Sequence, residues 1–124
     1  MFLITSILVA SLVLAGSSTP SKLSYNQPTS SLNAVLSSLN TGVSYTITKP
    51  TITQENSLPV SFTVSGSEVA GNVLTTSSST STITVATSVN YDELKFGKSY
   101  TGNIVLTQQS PGTDVVTIPV EFSK

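Results

Sequence analysis

Ser99-Tyr100-Thr101-Gly102-Asn103-Ile104-Val105-Leu106, answered after the turn formers Ser110-Pro111-Gly112 by Val116-Thr117-Ile118-Pro119-Val120-Glu121-Phe122, reads with a period of two. Tyr100, Gly102, Ile104 and Leu106 share one side of the first segment, and Val116, Ile118, Val120 and Phe122 share one side of the second. Successive side chains of an extended chain point to opposite faces, so the alternation describes two half-buried strands joined as a hairpin. Pro119 has no N–H to give to a ladder, and on this reading it marks the last strand as an edge strand.

Working outward, the same period recurs upstream. Val43, Tyr45 and Ile47 alternate with Ser and Thr; beyond Pro50 and Pro59, Val60, Phe62 and Val64 do so again; then come Val69 to Leu74, and Ile83 with Val85. Thr and Val suit a pleated, half-buried surface, and the separators Ser65-Gly66 and Gly71-Asn72 are turn formers. Short strands at spacings of roughly ten residues belong to a sandwich or a barrel, here over residues 42–124.

Leu94-Lys95-Phe96-Gly97-Lys98-Ser99-Tyr100 narrows the choice. The spacing of Leu94, Gly97 and Tyr100 resembles the tyrosine corner of fibronectin type III and related immunoglobulin-like sandwiches, with Phe96 where that family has Pro before the Gly. The following hairpin is similar to the last hairpin of prokaryotic immunoglobulin-like surface modules. The resemblance covers about 35 residues and implies an all-β, immunoglobulin-like sandwich of six to seven strands, in which Tyr100 covers one end of the core and its hydroxyl bonds to backbone upstream.

Residues 16–41 are rich in Ser, Thr, Asn and Pro and read as a polar linker or arm. Within it, Leu32, Val35, Leu36 and Leu39 fall at i, i+3, i+4 and i+7 behind Ser31, which predicts a short helix over residues 31–39. Six strands leave the place of a seventh open. Lys22, Leu23 and Tyr25 form a candidate donor strand, either folding back on their own domain or inserting into a neighbour, as in donor-strand pilins and related surface fibres.

Phe2 to Ala15 (FLITSILVASLVLA) is an apolar run of about 21 Å as a helix, short against a hydrocarbon core of roughly 30 Å. Val13 and Ala15 before Gly16 suit a signal-peptidase site, so residues 1–15 read as a secretory signal. No Lys or Arg precedes the run, and a retained, pilin-like anchor is the alternative. A lipobox is excluded by Ser17 in place of Cys.

Composition bounds the chemistry. The chain has no His and no Cys, which leaves six carboxylates and five lysines to carry any reaction. Asp92-Glu93 is the one adjacent acidic pair, and neither it nor Asp114 comes with a nucleophile or a metal-ligand pattern; the expectation is a non-enzymatic protein without cofactor. A net charge of −1 with no Arg disfavours nucleic acid. Charged residues make up 9% of the chain, against roughly 25% in an average soluble protein. Interface cores are depleted of charge in the same way, so self-association or docking to another surface protein is expected, with membrane contact only if the leader is retained. The end loops, residues 66–71 and 108–114, are the binding surface if the domain acts as a monomer.

Overall fold

The computed structural model describes residues 16–50, 52 and 60–124; the leader, and with it the choice between signal and anchor, lies outside them. Ten strands follow one another: β1 (Ser17–Thr19), β2 (Leu23–Tyr25), β3 (Thr29–Ser37), β4 (Ser44–Thr48), β5 (Val60–Ser65), β6 (Val69–Ala70), β7 (Val73–Thr75), β8 (Ser81–Val89), β9 (Ser99–Gln108) and β10 (Val115–Ser123), with one 3-10 turn at Tyr91–Glu93. They form a four-stranded sheet in the order β1-β3-β8-β5 and a six-stranded sheet in the order β2-β10-β9-β4-β7-β6. The two sheets stack as a β-sandwich.

The alternation of the sequence becomes the core. Tyr45, Ile83, Val85, Ile104, Leu106, Val116, Ile118 and Phe122 are fully buried between the sheets, while the intervening Ser and Thr face out. The final hairpin is antiparallel from Val115↔Thr107 to Ser123↔Ser99, which keeps every inward residue of β10 opposite an inward residue of β9. A slip of β10 by one residue would turn its apolar row to water while that of β9 stayed inward, so the pattern itself sets the register.

Three expectations change. Residues 31–39 are not helical: Thr29–Ser37 is strand β3, paired antiparallel with β8 from Thr29↔Ser88 to Leu36↔Ser81. The apolar positions of the segment satisfy two periods, and the strand period wins because Leu32, Ala34 and Leu36 then face the core while Val35 stays exposed. An isolated helix of this length is marginal in water, whereas β8 offers a full ladder. Secondly, residues 16–41 are no linker, since β1, β2 and β3 are integral to both sheets and the sandwich begins at Ser17 rather than at residue 42. This, with the division of Val69–Leu74 into β6 and β7, takes the strand number from six or seven to ten among the described residues.

Thirdly, β10 is not an edge strand. β9 flanks it along its whole length, and β2 lies on its other side, parallel, at Val120↔Leu23, Glu121↔Ser24 and Phe122↔Tyr25. Pro119 stands one residue before that parallel ladder begins, where no partner on the β2 side needs its missing N–H.

Candidate functional site

The arm closes its own sandwich. Leu23 and Tyr25 are both buried, with Ser24 between them facing out. The Tyr25 ring stacks on Phe122 at 5.1 Å between centroids, and Phe62 meets the same Phe122 edge-on at 5.9 Å. Across the core the Tyr25 hydroxyl donates to the Val85 carbonyl at 2.9 Å, so one side chain ties the six-stranded sheet to the four-stranded one. Burial pushes the Tyr25 phenol up to about 12. Outside, Lys22 Nζ sits 3.3 Å from Glu121 Oε1, a partly exposed ion pair worth little by itself. The place of the missing strand is therefore filled in cis.

At the corner, Leu94 and Tyr100 are buried, and the Tyr100 hydroxyl accepts the Lys95 N–H at 3.3 Å. Gly97 between them has φ of +76°, a left-handed conformation that a side chain disfavours. The 3-10 turn leading in is held by Asn90, whose side-chain oxygen accepts the Asp92 N–H and whose carbonyl accepts the Glu93 N–H. Phe96 is 79% exposed and takes no part in the core; the Lys124 ammonium lies 4.9 Å from its ring centroid. Asp92 and Glu93 are both exposed.

A polar cluster at the opposite end escaped the sequence reading. Tyr45 is fully buried, and its hydroxyl donates to Asp114 Oδ2 at 2.6 Å while accepting the Asn40 N–H at 3.1 Å. Burial, and after it the bond to Asp114, raises the Tyr45 phenol. The other carboxylate oxygen, Asp114 Oδ1, accepts the Gly16 N–H at 3.1 Å. Asn40 donates its carboxamide to Gln108 Oε1 at 2.6 Å, and Thr76 donates its hydroxyl to the Asn40 carbonyl at 2.7 Å. A Cβ on Gly112 would overlap the Gln108 carboxamide, so a side chain there would have to displace that carboxamide from Asn40. The sequence reading names Asp114 as a carboxylate without a nucleophile and residues 108–114 as an end loop, but nothing in it joins them to Gly16, Asn40, Tyr45 and Thr76. The cluster's members are up to 98 residues apart, and only the sandwich topology joins them.

The broad surfaces are chemically plain. On the four-stranded sheet the outward residues are Ser17 and Thr19 of β1, Thr29, Ser31, Asn33, Val35 and Ser37 of β3, Thr82, Thr84, Ala86 and Ser88 of β8, and Ser61, Thr63 and Ser65 of β5. None is charged. The outward row of the six-stranded sheet carries only Glu121, which is paired to Lys22. The other described charges, including Glu68, Asp92, Glu93, Lys95, Lys98 and Asp114, lie in turns at the ends of the sandwich. Glu68 is held below its usual range by the hydroxyls of Ser77 and Ser81 and the Ser77 amide. Among the described residues no group of three or more metal-ligating side chains comes together, and no helix is long and apolar enough to cross a membrane.

No family model and no curated protein matches the chain. Among solved structures, the secreted serine protease VesC from Vibrio cholerae is similar over 82% of this chain and 21% of its own, at a TM-score of 0.46 and 8% identity. The chain thus spans about a fifth of that protease, and a likeness of that degree transfers no activity.

Proposed function

We propose that this protein works outside the cytoplasm as a non-enzymatic, immunoglobulin-like surface domain that takes part in a structural or adhesive assembly through the uncharged face of its four-stranded sheet. The observation that carries the reading is the segregation of charge: the outward face of the four-stranded sheet has none, and apart from the Lys22–Glu121 pair on the other sheet the described ionic groups sit at the ends of the sandwich. A lone soluble domain normally mixes charges over its surface and guards its edges with them. Faces of Ser, Thr and Asn without charge can be covered by another protein at small desolvation cost, since no ion must leave water. The filled arm position bears on how copies meet. Leu23 and Tyr25 are already spent on their own core, so complete domains meet through faces, and exchange of the arm would first require extracting a stacked, hydrogen-bonded tyrosine.

Replacing Ser31 and Thr63 by Lys tests this, because both are exposed on the uncharged face and surface substitutions of this kind change stability by no more than about 0.5 kcal/mol. Native material sized by light scattering and negative-stain microscopy is expected to show multimers or fibres that the double variant loses while its thermal midpoint stays unchanged. Wild-type protein that remains monomeric at every concentration would overturn the reading. A second reading is favoured by Phe96, an exposed ring flanked by Lys95 and Lys98. On that reading the domain is a monomer docking to another surface protein by its corner end, and Phe96→Ser rather than the facial lysines abolishes capture of the partner.

A further inference from the structure

The N-terminal boundary of the sandwich falls on the residue that follows the signal-peptidase pattern, and that residue is already seated. Gly16 N lies 3.1 Å from Asp114 Oδ1. The seat admits no side chain: a Cβ on residue 16 would stand 2.5 Å from Val116 Cγ2, 3.1 Å from Asp114 Oδ2 and 3.2 Å from Leu39 Cδ2. The cleavage pattern places its demand for small residues on positions 13 and 15, so it does not account for glycine at 16. The recess does. The carboxylate opposite is rigidly held, because its other oxygen takes the hydroxyl of the fully buried Tyr45 at 2.6 Å and the Asp114 carbonyl accepts the Gln108 N–H at 2.8 Å. Both groups bonded to the Asp114 carboxylate, an amide and a phenol, are neutral.

We propose that the recess formed by Asp114, Val116 and Leu39 is a receptor for a processed chain terminus: hydrolysis of the Ala15–Gly16 bond leaves a Gly16 α-ammonium that pairs with the Asp114 carboxylate. The inference rests on the extracytoplasmic reading, which supplies the co-reactants, water and a signal peptidase. Water adds across the amide, Ala15 departs with the new carboxylate and Gly16 keeps the nitrogen, which is protonated at neutral pH. The donor stays where it is and gains a positive charge. A charge-assisted hydrogen bond is roughly twice as strong as a neutral one; Asp114, backed by the Tyr45 hydroxyl, receives the nitrogen, and Leu39 and Val116 line the seat with apolar surface. Since Ser17 to Thr19 pair at once with Ser37 to Val35, pinning residue 16 pins β1 to the sandwich. Maturation then tightens the domain only after the leader has gone.

The test is a double-mutant cycle on protein processed in an exporting host from the full chain. One variant carries a single serine inserted between Ala15 and Gly16, which moves the ammonium one residue, about 3.8 Å, out of the seat without changing the domain. The other is Asp114→Asn, made in both backgrounds. N-terminal sequencing is expected to give Gly16 for the parent. The insertion is expected to lower the thermal midpoint by about 4 °C, and Asp114→Asn to lower it more in the Gly16-starting protein than in the inserted one. Equal losses in the two backgrounds would overturn the ion pair while leaving export intact. Purified protein that keeps its leader would overturn both.

Discussion

Removing the arm's aromatic anchor is the perturbation whose size follows most directly from the structure. Tyr25 is buried, stacks on Phe122 at 5.1 Å and donates to Val85 O at 2.9 Å. Tyr25→Phe keeps the ring and deletes one internal hydrogen bond, a loss of about 1 kcal/mol. Tyr25→Ala also deletes the ring and opens a cavity between the sheets; large aromatic truncations in a packed core cost about 3–5 kcal/mol. The chain has no Trp, so urea titration followed by far-ultraviolet circular dichroism is the suitable assay. The midpoint should fall in the order wild type, Phe, Ala at constant slope. The thermal midpoint should drop by roughly 4 °C for each kcal/mol lost in a domain of this size. If Tyr25→Ala costs less than about 1 kcal/mol, β2 is not part of the folding unit and the account of the arm fails.

Four further outcomes are expected. Tyr25 titrates near 12 in the folded state against 10 for an ordinary phenol, so folding favours its neutral form. That stabilisation is complete below pH 10 and is lost as the pH rises toward 12; an ultraviolet difference titration should show a phenol titrating near 12 disappear in Tyr25→Phe. Gly97→Ala forces a side chain into φ of +76° and should cost about 1–2 kcal/mol in chemical denaturation. Tyr100→Phe, which removes the acceptor of the Lys95 N–H, should cost about 0.5–1.5 kcal/mol by the same assay. Thr87, buried on the inner side of β8 opposite Phe62, has a hydroxyl with no hydrogen-bond partner among the described residues, so Thr87→Val should raise stability by about 1 kcal/mol.

What could be read ahead of the structure, and what could not, divides by the range of the forces involved. β9 and β10 were legible because each carries four inward positions at period two, and a run of that length fits no helix. β3 was misread because Leu32, Leu36 and Leu39 lie on a helical face while Leu32, Ala34 and Leu36 lie on a strand face; only β8, some fifty residues away, decides between them. β2 is three residues long, too short for any period to show, although Leu23 and Tyr25 were singled out as a strand in need of a sheet. Pro119 was read as an edge marker on chemistry that is sound for a central strand, but the parallel ladder to β2 starts just beyond it. The spacing of Leu94, Gly97 and Tyr100 is local, and so it could be read. The Gly16, Tyr45 and Asp114 cluster joins residues 69 and 98 positions apart, and no local pattern records it.

The central claim is that each chain completes its own sandwich and meets others as a closed domain. Ser24 and Glu121 are register partners in the parallel β2–β10 ladder, both on the outer face, and the chain contains no cysteine to compete. In assembled material, oxidised Ser24→Cys/Glu121→Cys protein run without reductant should migrate as a monomer with its two sulfurs joined within one chain. A ladder of disulfide-linked multimers would mean that β2 pairs with a neighbour's β10, and would contradict the account.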